Sequence, residues 1–289
     1  MVMKIQNRAL SFFILAVIYI LAAAALIGVY VLLIPTTVPF WCILLIADVA
    51  ATVVVFIFSL IFGNASVYDP YWSVMPIIIV VAYAIFMPTA TALIPIITVL
   101  VWGVRLTANW AYTFKGLTHQ DWRYTMLKEK TGKLYFFVNF LGIHLVPTLV
   151  VYGCILPVVF IFVEEPEFNA GIAAFCGVSL CAVLLQGIAD CTMHKFRKDG
   201  TGGFIRTGVW KYSRHPNYLG EILMWWGIAL AAVCVMPDKW WLIAGAVSNT
   251  MLFLFISIPL ADGHQSRKEG FEEYKKNTRM LLPVYKKQK

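Results

Sequence analysis

Charged residues are scarce in this chain. Only 13% of its 289 residues are Asp, Glu, Lys or Arg, whereas 61% are hydrophobic, and this balance excludes a soluble globular protein. The sequence also lacks a Walker motif and a G-x-G-x-x-G motif after a strand, which excludes the soluble nucleotide-binding folds that carry them. No basic helix or known binding motif indicates nucleic acid as a partner.

Paired metal ligands and paired cysteines are missing too. The five histidines show no H-E-x-x-H or other ligand spacing, so the sequence predicts no metal site. The six cysteines form no C-x-x-C pair and fall in or at the end of apolar segments, which is typical of small buried residues. Internal repeats are not evident, and residues 1–289 are predicted to form a single membrane-embedded domain.

Long apolar runs dominate the rest of the sequence. A bilayer core of about 30 Å needs roughly 20 apolar residues per helical span. About eight segments fit, which predicts an all-α fold, a polytopic bundle of transmembrane helices. The predicted spans are 10–34, 40–62, 72–87, 89–108, 135–162, 171–193, 217–236 and 240–260.

Basic residues are confined to one side of this topology. The N-terminus, residues 105–133, residues 194–216 and the tail from 261 contain 22 of the 23 Lys and Arg residues. Since cytoplasmic loops carry the excess of Lys and Arg, both termini are predicted to be cytoplasmic. The basic face would also attract anionic headgroups, so membrane lipids are expected partners. No protein partner is implied.

A polar cluster, YSRHPNYLGE at residues 212–221, lies where an apolar span begins. Pro216 suits the first turn of a helix, so a helix is predicted to start near Asn217. Asn217, Glu221 and Trp225 recur every fourth residue and share one face. An acid about one turn inside the apolar zone needs a partner. The structural alternative is a headgroup-level cap in which Glu221 snorkels or pairs with the arginine of this cluster.

Other polar groups near span ends could join this cluster. Gln186, Asp190, His194 and Arg197 are spaced four, four and three residues apart and share one helical face. Guanidinium groups bind phosphates bidentately and a helix N-terminus adds N–H donors, so the set would suit a dinucleotide. The candidate phosphate ligands are Arg197, Lys198, Arg206, Arg214, His215 and Asn217, and the deeper candidates for ribose or carboxamide are Gln186, Asp190 and Glu221.

The tail, residues 261–289, is predicted to be a cytoplasmic lid or, alternatively, an interfacial helix that only anchors the C-terminus. Apolar residues recur there at three- and four-residue spacing from Phe271 to Leu281. His264 and Arg267 lie close enough to the membrane surface to be candidate cofactor ligands.

Several motifs in combination resemble the steroid 5α-reductase C-terminal domain family, and more closely its bacterial DUF1295-type branch. The resemblance covers roughly residues 64–285. The matching motifs are Asn64-x-Ser-x-x-Asp69-x-x-Trp72, Trp102-Gly-x-Arg105, Ala189-Asp190, Lys195-Phe-Arg197-Lys198, Thr207-Gly-Val-Trp210, the block from Ser213 to Glu221, Trp225-Trp226-Gly227 and Phe271-x-x-Tyr274.

The resemblance implies a membrane enzyme, an NADPH-dependent oxidoreductase that reduces an activated carbon–carbon double bond in a steroid-like or other lipophilic substrate. It also implies a multi-pass protein of the bacterial inner membrane rather than the endoplasmic reticulum. The residues that it would place at the cofactor are Gln186, Asp190, Arg197, Asn217 and Glu221, with Arg105 in the same pocket. Tyr218, in the same segment, is a further candidate.

In steroid-reducing members a Glu and a Tyr hold the substrate carbonyl. By the resemblance, this chain has Trp102 at the Tyr position, and Tyr68, Asp69 and Tyr71 in the region of the Glu. Tyr68 and Asp69, together with Glu221, are therefore the candidate catalytic residues.

Two other classes remain open. The Arg-His-Pro-x-Tyr-x-Gly motif also occurs in membrane methyltransferases that use S-adenosylmethionine, such as the isoprenylcysteine carboxyl methyltransferase group. The long basic stripe and the Leu-Gly-Glu sequence ending at Glu221 favour a dinucleotide instead. A non-catalytic lipid-binding or transport protein is the other alternative, but a polar cluster on one side only argues against a transporter.

Overall fold

A computed structural model describes residues 5–200 and 202–282. Within these ranges the ordered elements are helices and no β-strand forms, which confirms the all-α class. The α-helices are α1 (Arg8–Leu33), α2 (Phe40–Phe62), α3 (Tyr71–Phe86), α4 (Leu93–Thr113), α5 (Trp122–Thr131), α6 (Tyr135–Phe137), α7 (Val146–Glu164), α8 (Ala170–Lys198), α9 (Pro216–Val233), α10 (Ala244–Leu252), α11 (Ile258–Gln265) and α12 (Phe271–Asn277).

Seven helical segments in the described part of the chain are long and apolar enough to cross a membrane, as expected of a multi-pass integral membrane protein. The seven are Arg8–Leu33, Phe40–Phe62, Ala65–Phe86, Ala90–Thr113, Trp122–Glu164, Ala170–Lys198 and Pro237–Gln265.

The remaining predicted span, 217–236, corresponds to α9. The first two turns of this helix include the polar residues Asn217 and Glu221, and it is not among the seven apolar segments. The prediction that both termini are cytoplasmic stays a prediction.

The described chain divides into two compact units. The first comprises residues up to 85 together with 106–156, and the second comprises 86–105 together with 157 onwards. That they act as a single domain stays a prediction.

A chain of buried hydroxyl groups lies in the core of the first unit. The Tyr71 hydroxyl donates to Asp48 Oδ1 at 2.7 Å, and Thr52 Oγ1 lies 2.8 Å from Thr148 Oγ1. The Tyr68 hydroxyl lies 2.8 Å from the same Thr148 oxygen. These bonds join α2, α3 and α7 where apolar contacts alone would leave the side-chain polar atoms unsatisfied.

Helices α8 and α9 approach each other closely within the second unit. A Cβ at Gly220 would lie 2.7 Å from the Ala182 carbonyl oxygen, and one at Gly227 would lie 2.7 Å from that of Phe175. Only glycine therefore fits at these two positions of α9. The close approach brings the polar faces of the two helices together.

Candidate functional site

Three of the predicted cofactor residues form a polar cluster in the second unit. Arg105 Nη1 lies 2.6 Å from Asp190 Oδ2, and Arg105 Nη2 donates to Gln186 Oε1. Gln186 and Asp190 are one turn apart on α8, so a single guanidinium on α4 reaches both. Less than a fifth of the Arg105 and Asp190 side chains is exposed, and Gln186 is buried.

This cluster contains hydrogen-bond donors that are not used within the described chain. Arg105 Nε and Gln186 Nε2 are buried and have no hydrogen-bond partner among the described residues. Buried donors are normally satisfied, so unpaired ones require an explanation. Both atoms would suit an acceptor oxygen from a bound molecule.

Glu221 lies beside this cluster, between two tryptophans. Its Oε2 accepts from Trp102 Nε1 and its Oε1 accepts from Trp225 Nε1, both at 2.9 Å. Trp102 is one turn before Arg105 on α4, and Trp225 is one turn after Glu221 on α9. The carboxylate is thus held by two indole N–H groups, each on a fully buried ring. The alternative of pairing with Arg214 is wrong.

Arg214 and His215 both contact Asp262, which lies outside the predicted site. Arg214 Nη2 lies 3.0 Å from Asp262 Oδ2, and His215 Nε2 lies 2.9 Å from Asp262 Oδ1. Because 47 residues separate His215 from Asp262, no local spacing could have identified this partner.

The start of α9 matches its prediction to within one residue. The helix begins at Pro216, with His215 in the capping position, and Asn217 is half-buried in its first turn. The Tyr218 ring stacks on His215, with centroids 5.2 Å apart and planes at 4°. Tyr218 also packs against Phe253.

The other predicted cofactor ligands have exposed or partly exposed side chains. Arg197 and Lys198 are in the last turn of α8, which continues five residues beyond the predicted span. Arg206 lies over the Phe204 ring, 4.6 Å from its centroid. Arg267 is exposed and His264 is half-buried. The arginine and lysine side chains place positive charge on the second unit.

The tail packs against the segment that connects α8 to α9. Phe271 and Tyr274 form a buried cluster with Phe204, and the Tyr274 hydroxyl donates to the Trp210 carbonyl. Burial raises the pKa of Tyr274 to about 12, so the hydroxyl keeps its proton. Residues 283–289 of the predicted tail lie outside the described residues, and whether the tail acts as a lid stays a prediction.

Tyr68 and Asp69, the other catalytic candidates, lie in the first unit. Tyr68 is buried, and its ring stacks on Tyr71 with centroids 4.9 Å apart. Asp69 Oδ1 accepts from the Tyr124 hydroxyl at 2.8 Å, a partner 55 residues away that the sequence did not indicate.

The motif that contains Asp69 organises its own loop. Asn64 Oδ1 accepts from the Ser66 amide at 2.9 Å, and Asn64 Nδ2 donates to the Leu117 carbonyl at 2.6 Å. Ser66 Oγ accepts from the Asp121 amide at 2.9 Å. The conformation of this loop is therefore set by Asn64 and Ser66, whereas catalytic roles for Tyr68 and Asp69 stay predictions.

Comparison with known proteins gives partial matches to steroid dehydrogenases. The 3-oxo-5-alpha-steroid 4-dehydrogenase 1 of Macaca fascicularis is 32% identical over 124 residues, and that of Homo sapiens is 31% identical over 124 residues. The aligned stretch covers 42% of this chain and 43% of each relative, so the chain spans less than half the length of these relatives. No solved structure matches significantly.

A family model covers much more of the sequence. The model described as "Protein of unknown function (DUF1295)" matches residues 55–278, which is well over half of the chain. That range includes both the Asn64-to-Asp69 loop and the cluster around Arg105 and Glu221. The chain therefore belongs to the DUF1295 family, which is steroid 5α-reductase-like.

Proposed function

We propose that this protein is a membrane-embedded oxidoreductase that uses NADPH to reduce an activated carbon–carbon double bond in a steroid-like or other lipophilic substrate. The observation that carries the proposal is the largely buried cluster of Arg105, Gln186 and Asp190 beside Glu221, in which two buried donors are unpaired. The similarity to 3-oxo-5-alpha-steroid 4-dehydrogenase 1 supports the reaction class.

The donors and charges present fit the cofactor. Arg105 Nε and Gln186 Nε2 suit the oxygens of a carboxamide or a ribose. Exposed guanidinium and ammonium groups suit phosphates, because they bind phosphate by charge-assisted hydrogen bonds. The residues proposed for the phosphates are Arg197, Lys198, Arg206, His264 and Arg267, with Asn217 and Tyr218 at the start of α9.

The bound cofactor would supply a hydride to the β carbon of the double bond. Glu221 would orient the bound cofactor, because its two indole partners hold the carboxylate in one position and leave further lone pairs for a ligand. Asp190 would keep the Arg105 guanidinium in place beside the ligand. Preorganised polar groups of this kind require little rearrangement during the reaction.

Tyr68 and Asp69 are proposed to hold the substrate carbonyl. The phenol hydroxyl of Tyr68 and a protonated Asp69 carboxyl group can each donate a hydrogen bond to a carbonyl oxygen and so draw charge from the conjugated double bond. We also propose that the protein resides in a bacterial inner membrane, as the DUF1295-type resemblance implies. Its apolar helices fit a substrate that arrives through the bilayer.

Deuteride transfer tests this proposal. Purified protein in detergent is incubated with NADPH deuterated at the transferable position and with a 3-oxo-4-ene steroid, and the product is analysed by mass spectrometry. We expect one deuterium in each molecule of reduced product, and much less product at limiting NADPH when Glu221→Gln replaces the wild type. A product with no deuterium, or no reduction of any conjugated lipid ketone tried, would contradict the proposal.

A further inference from the structure

Asp262 forms a buried clamp with Arg214 and His215, and these three residues are called the clamp below. Asp262 is 7% exposed, and both of its carboxylate oxygens accept hydrogen bonds. One oxygen accepts a hydrogen bond from Arg214 Nη2 and the other accepts one from His215 Nε2. A buried carboxylate is stable only with such partners, so Asp262 determines where these two side chains lie.

The same arginine also holds the C-terminal end of α12. Arg214 Nη1 donates to the Thr278 carbonyl at 2.7 Å and to the Lys275 carbonyl at 3.3 Å. The Arg214 backbone amide donates to the Arg279 carbonyl at 2.9 Å. A guanidinium is well placed there, because the last carbonyls of a helix lack partners and carry partial negative charge. The start of α9, α11 and the end of α12 thus meet at one side chain.

We infer that Asp262 is a positioning residue for the proposed cofactor site. Pro216, Asn217 and Glu221 follow the clamp directly on α9, so the clamp sets where this helix begins and which way its polar face points. The clamp also links the start of α9 to the packing of the tail, because Arg214 bonds the end of α12. That the positioned site holds a cofactor rests on the proposed function, whereas the geometry of the clamp does not.

As part of the clamp, Arg214 has a role different from that of a phosphate ligand. Both of its terminal nitrogens are already bonded to protein oxygens, and its side chain is only 9% exposed. A phosphate ligand acts through charge, so Lys would replace it in part and its contribution would weaken with salt. A clamp needs the planar fork to reach three oxygens, so Lys would fail at any salt concentration.

Hydrogen exchange measured by mass spectrometry tests the clamp without reference to a ligand. The full chain in detergent is compared with Asp262→Ala, Asp262→Glu and Arg214→Lys, and with Glu269→Gln as a control that removes an exposed acid from the same tail. We expect Asp262→Ala and Arg214→Lys to exchange faster only in the three segments that the clamp joins, residues 213–218, 258–265 and 271–280. Asp262→Glu, which keeps the carboxylate, should restore most of the protection, and the control should match the wild type.

NADPH affinity supplies the second measurement. We expect Asp262→Ala and Arg214→Lys to weaken binding about tenfold, within the roughly 5–150-fold range typical of coupling between sites, and by the same factor at low and high salt. Unchanged exchange, or faster exchange across the whole chain, would overturn the inference. So would an Arg214→Lys protein with wild-type affinity. If the wild type does not bind NADPH, the proposed function fails, while the exchange pattern still decides the clamp.

Discussion

The close contact between α8 and α9 makes Gly227→Ala a direct test of how these two helices pack in the second unit. The added Cβ would lie 2.1 Å from Ser179 Oγ and 2.7 Å from the Phe175 carbonyl oxygen. The hydroxyl can rotate away, but then it loses its 2.8 Å bond to the Met224 carbonyl. The Phe175 oxygen belongs to helical backbone and would be about 0.7 Å closer than the 3.4 Å at which ordinary contact begins, so the helices must separate.

Three terms set the expected destabilisation. Overpacking costs about 1–3 kcal/mol, loss of the hydroxyl bond adds about 1 kcal/mol, and the higher helix propensity of Ala offsets up to about 1 kcal/mol. We therefore expect Gly227→Ala to lower the free energy of unfolding by about 1–4 kcal/mol. Equilibrium unfolding in mixed SDS and non-ionic detergent micelles, followed by tryptophan fluorescence, measures this difference.

Gly177→Ala is the matched control. Gly177 lies on α8, the partner helix of α9, and a Cβ there meets no atom within 4 Å. Alanine at that position should be neutral or stabilise the helix by up to about 1 kcal/mol. If Gly227→Ala proved as stable as Gly177→Ala, the close packing of these helices would be refuted.

Three further predictions concern the polar clusters. Glu221→Gln leaves one indole N–H facing an amide NH₂, so we expect NADPH affinity to fall about tenfold in a fluorescence titration; unchanged affinity would remove Glu221 from the site. Arg105→Lys keeps the charge but cannot reach Asp190 and Gln186 together, so a similar loss is expected in the same titration, and wild-type binding would contradict it. Asn64→Ala removes two hydrogen bonds that join its loop to Leu117 and His119 and one bond within its own loop, and it should destabilise the protein by about 1–3 kcal/mol in the micelle assay; no change would show that the loops are held by other contacts.

Local spacing predicted much of the helical structure. Pro216 identified the start of α9 to within one residue, because its ring favours a first helical turn. The four-residue spacing of Gln186 and Asp190 correctly placed them on one face of α8. The predicted span ends at residue 193, and the shared face that extends to Arg197 predicted that the helix continues beyond it, as α8 does to Lys198.

Partners distant in the sequence were not predictable in the same way. The Asp262 clamp and the bond between Tyr124 and Asp69 join residues separated by 47 residues or more, and nothing in either segment specifies the other. Glu221 illustrates the same difficulty, since a nearby arginine was the obvious alternative partner for a buried acid. The structure provides two indole N–H groups instead, which satisfy the carboxylate without a second charge.

Binding of a dinucleotide to the cluster around Arg105 and Glu221 can be distinguished from binding of S-adenosylmethionine by a paired titration. Purified protein in detergent is titrated with NADPH and, separately, with S-adenosylmethionine, with the thermal unfolding midpoint as the signal. We expect NADPH to raise the midpoint of the wild type and to raise that of Glu221→Gln much less, and we expect S-adenosylmethionine to have no effect. A rise with S-adenosylmethionine alone would rule out the dinucleotide site and favour a methyltransferase.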